Sequence, residues 1–334
     1  MEIRKIQLTG KSSYTVSLPK TWATKVGLRE QSQVGISTLP DGSLRVTPSD
    51  SIKPQGRGIF NIEELFDNAL ARQMIAIYIA GYNTFELRAP QIRSDQRKTI
   101  RDMSYRLIGM EVVEETAKSV VIKDFISPNE LQIKKSIRRM HLIIEAMLVD
   151  AIQSLVKNDI DLANDIIIRD RDVDRHYLLV LKRLQAMVKT PFAESSDINA
   201  NESLEYYLTA VSLERIADHA TKIAECVLTL SGGAVPTEIL ESIIEASKLS
   251  NDIMQLAIDA LSQFDPKLAE KAIATKSSQI PFIKKIEAMT LDVNAHIALP
   301  IHCIANSIDR VADYGVNIAE VAINLSIAKA ANQV

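Results

Sequence analysis

The stretch "LERIADHATKIAE", residues 213–225, returns 95 positions later as "IDRVADYGVNIAE", residues 308–320. Each copy sets two carboxylates four residues apart and a third seven further on. These are Glu214, Asp218 and Glu225 in the first copy, and Asp309, Asp313 and Glu320 in the second. A helix turns ~100° per residue, so the three acids of a copy fall within ~40° of one another on one face. Ile216, Ala217, Ala220, Ile223 and Val227 lie on the other side. The acids are therefore expected at the exterior or edge of a helical bundle, and a buried di-iron core is disfavoured.

The helical pattern extends outward from this repeat. After "ISPNEL" the chain reads as helix for two hundred residues, broken by "KTPFAESSDINANES" and "SGGAVPTE", with no strand expected. "NDIDLANDII" in the first part has a weaker counterpart in "FDPKLAEKAI", and about two helices lie between each and its acidic motif. Two three-helix repeats, residues 132–232 and 236–330, account for this better than one irregular bundle.

The first fifty residues differ. "EIRKIQL", "SYTVSLP", "SQVGIST" and "SLRVTP" alternate like short strands, and "LPDGS" supplies Asp-Gly turn chemistry. "PKTWATKVGL" reads as a short helix with Pro19 at its start and Gly27 near its end. Residues 57–125 read as a small α+β domain: helices in "NIEELFDNALARQ" and "SDQRKTIRDMSYRLI", strands in "MIAIYIAGY", "MEVVEET" and "SVVIKDF". Its basic helix, with Arg97, Lys98, Arg101 and Arg106, also carries Asp95 and Asp102 and reads as a solvated face. The middle domain's residues select no role for it.

Composition bounds the function. The chain has 334 residues, about twice a usual domain, with 24% charged residues and a net charge of −3. The whole is neither a basic nucleic-acid coat nor an acidic tail. Cys226 and Cys303 are the only cysteines, lack CxxC spacing, and read as small core residues in a reducing compartment. No apolar run resembles a signal peptide or a membrane span, so a cytoplasmic protein is expected.

Like charges four apart weaken a helix by ~0.2–0.5 kcal/mol per pair, and a bridging cation would remove that repulsion. Hard oxygen ligands suit magnesium, manganese, calcium or iron. A lone E-x-x-x-D is usually a solvated acidic face, but repetition in one register argues for a docked cation or partner. A further pair, Asp170 and Asp174 in "RDRDVDRHY", sits on the preceding helix, where antiparallel packing would bring it beside Glu214 and Asp218. His219 reads as a surface histidine rather than a ligand.

"DRDVD", "LERIADHATKIAE" and "SIDRVADYGVNIAE" together resemble the signature of PhoU proteins, over roughly residues 132–330. The resemblance implies a regulator of phosphate uptake and phosphate homeostasis that restrains a phosphate ABC transporter and its signalling partner. It also implies metal ions, such as iron, manganese, magnesium or zinc, held on the bundle surface. By position, Asp170, Asp174, Glu214 and Asp218 would form one metal site, and Asp309 and Asp313 half of another. The second copy departs from the pattern: "TKSSQIPFIKK" offers no carboxylate from Lys276 to Pro281, so one metal site per chain is expected.

Residues 1–50 are similar to the AbrB/MazE/SpoVT pattern, in which strands, an L-P-K helix start, a G-L helix end and a D-G hairpin follow in order. That resemblance implies a swapped-hairpin β-barrel made by two chains and used for DNA binding. Arg4, Lys5, Lys11 and Lys20 would be its DNA contacts, with Ser12 and Ser13 donating to phosphate. Trp22 would lie at the dimer interface. The combined expectation is a DNA-binding transcriptional regulator, at least dimeric, with a PhoU-type sensor, and not an enzyme. A transporter adaptor whose β unit serves only dimerisation is the alternative. A metal-dependent phosphoesterase is a third reading, disfavoured because the sequence has no P-loop, H-E-x-x-H or Ser-His-Asp element.

Overall fold

The computed structural model describes residues 3–10, 12–38, 42–48, 57–126, 132–189, 198, 202–230 and 232–331. The chain divides into two compact units, Met1–Gly56 and Arg57–Val334.

Among its described residues the first unit holds two antiparallel strand pairs and one short helix. Strands β1 (Gln7–Thr9) and β2 (Ser13–Thr15) pair through Leu8 and Tyr14, and β3 (Val34–Thr38) and β4 (Leu44–Pro48) through Ile36 and Val46. Helix α1 (Lys20–Lys25) starts after Pro19. It ends on Gly27 at φ 75°, where the Leu28 and Gly27 amides donate to Ala23 and Thr24 carbonyls in a Schellman arrangement. No described residue of this unit is buried, and Trp22 is half-buried.

The second unit begins with a four-stranded sheet ordered β5-β6-β8-β7: β5 (Gly58–Asn61), β6 (Thr84–Arg88), β8 (Ser119–Asp124) and β7 (Met110–Glu115). β5 runs parallel to β6, and the remaining pairs are antiparallel. Helices α2 (Asp67–Ile79) and α3 (Ser94–Arg106) pack against it. The α+β class expected of this stretch is therefore observed, but "MIAIYIAGY" is not a strand. Helix α2 runs through it because Leu70, Met74, Ile77 and Tyr78, spaced i, i+4, i+7, i+8, all face the core. The strands beside it, β5 and β6, come from the flanking "GIFN" and "TFELR".

Among the described residues six helices follow, as the long periodic stretches predict: α4 (Ile133–Lys157), α5 (Ile160–Lys189), α6 (Ser203–Leu230), α7 (Thr237–Gln263), α8 (Pro266–Thr290) and α9 (Ala295–Ala331). α4, α5 and α6 pack on one another, as do α7, α8 and α9, with α6 against α9 and α4 against α7 joining the groups in one core. The α4–α5 and α7–α8 junctions are built alike. A residue in the left-handed region, Asn158 or Phe264, is followed by Asp159 or Asp265, whose carboxylate accepts a backbone N–H of the next helix.

The sheet is tied to the bundle through α5. Leu179 belongs to the sheet's own core, and Lys182 forms an ion pair with Asp124 while lying 4.3 Å from the Tyr78 ring centroid. The helix that carries Asp170 and Asp174 is thus anchored, two turns further on, in the middle domain.

Candidate functional site

The apolar side of each motif is buried as the periodicity requires. In α6, Leu213, Ile216, Ala217, Ala220, Ile223, Ala224 and Val227 are all in the core; in α9, so are Ile308, Val311, Ala312, Ile318 and Ala319. Burial of one face fixes where the opposite face points. Asp218, Glu225 and Glu320 are exposed, whereas Asp170, Asp174, Glu214, Asp309 and Asp313 are half-buried.

The first acidic set gathers on α5 and α6. Burial pushes the Asp170 carboxyl up to about 6, with Asp174 and Asp218 adding repulsion. Burial likewise raises Glu214 to about 7, with Asp218 adding to the rise and Arg215 opposing it. Asp174 is raised by burial, and Arg106 opposes that rise. All four acids therefore stand in one another's field, as antiparallel packing of the two helices would require. Their counter-charges are protein side chains. Arg106, at the end of α3, donates to Asp174 at 3.0 Å, and Arg215 donates to Asp218 at 3.0 Å. Among the described residues, no three of His, Cys, Asp and Glu lie close enough together to hold one metal ion.

The second acidic set is built differently. Lys276 of α8 reaches between the two acids, its Nζ 2.6 Å from Asp309 Oδ1, 2.9 Å from Asp313 Oδ1 and 3.0 Å from the Asp309 carbonyl. Its side chain is only 18% exposed. Arg310 donates to the other Asp313 oxygen at 3.1 Å. An ammonium thus stands where the sequence pattern leaves a carboxylate missing, and the pair is neutralised from within the chain. This donor set does not fit a metal ion.

Three features escape sequence reasoning. Arg106 arrives from another domain, and nothing in its basic helix marks it as the partner of Asp174. Lys276 was legible only as an absent carboxylate; its position in that register was the available signal. His219 is not a surface histidine: it is half-buried, its ring centroid 5.9 Å from that of Tyr314. His219 and Tyr314 occupy equivalent positions of the 95-residue repeat and meet across α6 and α9.

In the first unit, Arg4, Lys5, Ser12, Ser13 and Lys20 are all exposed, and Arg4 donates to Ser17 at 3.1 Å. Lys11 lies outside the described residues. The exposed set lies just before β1 (Arg4 and Lys5), just before and at the start of β2 (Ser12 and Ser13) and at the first residue of α1 (Lys20).

A bundle of long helices with outward carboxylates, preceded by a small sheet domain and a β unit, defines a multidomain helical-bundle protein. Residues 137–227 match the PhoU domain, and residues 7–54 match the domain described as antidote-toxin recognition MazE, bacterial antitoxin. The chain therefore carries a PhoU domain behind an N-terminal MazE/AbrB-type domain, and its curated relatives are PhoU homologues.

The phosphate-specific transport system accessory protein PhoU homolog of Caulobacter vibrioides (strain NA1000 / CB15N) is 33% identical over 93 residues, which cover 28% of this chain and 38% of that relative. PhoU homolog 1 of Thermotoga maritima is 24% identical over 214 residues, covering 59% of this chain and 87% of the relative. PhoU from Pseudomonas aeruginosa superposes with a TM-score of 0.54 at 20% identity, over 59% of this chain and 96% of its own. The phosphate transport system regulatory protein PhoU from Streptococcus pneumoniae gives 0.53 at 17%, over 59% and 94%. Both likenesses are of fold. No helix among the described residues is long and apolar enough to cross a membrane.

Proposed function

We propose that this chain is a PhoU-type accessory regulator of phosphate transport and phosphate homeostasis that joins transporter control to DNA, acting by binding and switching rather than by catalysis. The match of the bundle to the PhoU domain carries this reading, supported by relatives named as accessory proteins of phosphate-specific transport. Its partners are a phosphate ABC transporter or its signalling protein, DNA, and a second copy of the chain.

The first unit supports the pairing of copies. Ile3, Ile6, Leu8, Tyr14, Ile36 and Leu44 are each more than 60% exposed, and none of the unit's described residues is buried. Fifty residues with no core need a partner, and a swapped-hairpin barrel of two chains would cover these side chains. Paired units would also double the exposed basic set of Arg4, Lys5 and Lys20, with Ser12 and Ser13 available to phosphate oxygens.

The duplicated three-helix unit gives two acidic faces with different uses. Asp170, Asp174, Glu214 and Asp218 would hold a hard divalent or trivalent cation, which would discharge four mutually repelling carboxylates. Binding there requires their side chains to turn and Arg106 to leave Asp174. The second face is discharged by Lys276.

Fluorescence anisotropy of the full chain on DNA from phosphate-uptake promoters, at about 50 and about 200 mM salt, tests the central claim. The expected result is binding that weakens at least about tenfold between the two salts and is reduced in Lys11→Ala/Lys20→Ala. Binding no tighter than to random DNA would leave the second reading, a transporter adaptor in which the β unit serves dimerisation alone. The exposed apolar side chains of that unit favour that reading equally.

A further inference from the structure

The chain's two cysteines are 77 positions apart in sequence, and the fold brings them together. Cys226 near the end of α6 and Cys303 near the start of α9 line the same cavity, and the two thiols stand near enough to perturb one another. The His219–Tyr314 pair lies further along the same two helices, with numbers rising on α6 as they fall on α9, so the helices run antiparallel here. Both thiols are free and line one cavity of about 280 Å³ that opens to solvent, walled by His296, Leu299 and Pro300. Cys226 is buried and Cys303 partly exposed.

We propose that Cys226 and Cys303 form a modification site, a dithiol that a two-electron oxidant of the hydrogen peroxide class converts to a disulfide joining α6 to α9. Cys303, the accessible thiol, reacts first. Its sulfur attacks one peroxide oxygen, the O–O bond breaks, and the departing hydroxide takes the Cys303 thiol proton as water, giving the Cys303 sulfenic acid. The Cys226 sulfur then attacks the Cys303 sulfur. The S–S bond forms, the S–O bond breaks, and the departing hydroxide takes the Cys226 proton as a second water. The thiols lose two protons and two electrons in total, and one peroxide becomes two waters. Burial, followed by the neighbouring Cys303 thiol, raises the Cys226 thiol above the ordinary range, so Cys226 stays protonated and serves as the resolving partner. The bond would staple the α4–α6 group to the α7–α9 group across their shared face, about two to three turns along α6 and α9 from Asp218 and Asp313 of the two acidic sets.

The test treats the full chain with hydrogen peroxide under non-denaturing conditions and follows thiol titration, intact mass and peptide mapping. The expected result is loss of both thiols, a mass lower by two hydrogens, a peptide linking Cys226 to Cys303, and reversal by dithiothreitol. Thermal unfolding should shift upward by roughly 5–10 °C on oxidation, because a long loop is closed. In Cys226→Ser the sulfenic acid on Cys303 should persist and be trapped by dimedone; in Cys303→Ser peroxide should leave Cys226 unmodified. Oxidation that runs to the sulfinic acid on Cys303 with Cys226 still free, or linkage only between chains, would overturn the proposal. The wild-type mass and peptide map decide the matter even if a serine variant fails to fold.

Discussion

The Arg106 guanidinium, at the end of α3, donates to the Asp174 carboxylate in the middle of α5 at 3.0 Å. One contact thereby joins the middle domain to the acidic set of the bundle. The two side chains are 37% and 33% exposed, so the pair itself contributes no more than about 1 kcal/mol to stability. Its larger effect is competitive. A cation entering among Asp170, Asp174, Glu214 and Asp218 has to displace Arg106, so Arg106→Ala should bind manganese roughly 2- to 5-fold more tightly by calorimetry, the equivalent of that pair energy. Arg106→Lys should stay near the wild type. Unchanged or weaker manganese binding in Arg106→Ala would refute competition at this set.

The raised carboxyls give the bundle a pH dependence of definite sign. Folded Asp170 sits at about 6 and Glu214 at about 7, above their ordinary values of 3.8 and 4.5. The folded state therefore holds these protons more tightly than the unfolded chain. The resulting stabilisation is fully present below about pH 4 and is lost as pH rises through 6 and 7. Asp170→Asn removes an ionisation that costs stability at high pH. Discounted for partial exposure, it should stabilise the metal-free protein by about 1 kcal/mol near pH 8, a Tm rise of a few degrees, and change little near pH 4. Paired melting curves of wild type and variant at the two pH values check this. Equal shifts at both would place the effect elsewhere than in this titration.

The two motifs and the helical half were legible because helix periodicity is local. "LERIADHATKIAE" states both its buried and its acidic face within thirteen residues. "MIAIYI" was not legible, because a short apolar run fits strand and helix equally; only the core contacts of Met74, Ile77 and Tyr78 decide it. The charge partners of the acids were hidden for a different reason. Arg106 lies 68 positions before Asp174, and Lys276 lies 33 positions before Asp309, so each pair exists only once the fold has formed.

Gly315 aligns with Ala220 in the 95-residue repeat, and the difference is steric. A Cβ at Gly315 would lie 2.8 Å from Ile253 Cγ2 and 3.3 Å from the Met254 backbone nitrogen. The nearby backbone limits how far α7 can yield. Gly315→Ala should therefore destabilise by ~1–2 kcal/mol by urea unfolding, overpacking outweighing the ~1 kcal/mol gain in helix propensity. At Ala220, fully buried in α6, the reverse change Ala220→Gly should also destabilise, by about 1 kcal/mol or more. Stabilisation by Gly315→Ala would show that the α7–α9 contact relaxes freely.

Lys276 gives the sharpest test of how the two acidic sets differ. Its ammonium contacts both Asp309 and Asp313, and the three side chains form a closed local balance with Arg310. Lys276→Met leaves two half-buried carboxylates with one cation fewer and should cost ~1–2 kcal/mol, recovered in part by about 1 M salt. Lys276→Asp goes further, because it places a third carboxylate where the first set has one and removes the internal cation. On the reading that the first set holds a metal and the second does not, this substitution should raise bound metal from one to two per chain by elemental analysis after dialysis against manganese. Asp309→Asn in the same background should return it to one. Metal content that stays fixed in Lys276→Asp would show that the ammonium is not what keeps a cation out of the second set, and equal metal loss from Asp218→Ala and Asp313→Ala in the wild type would overturn the asymmetry altogether.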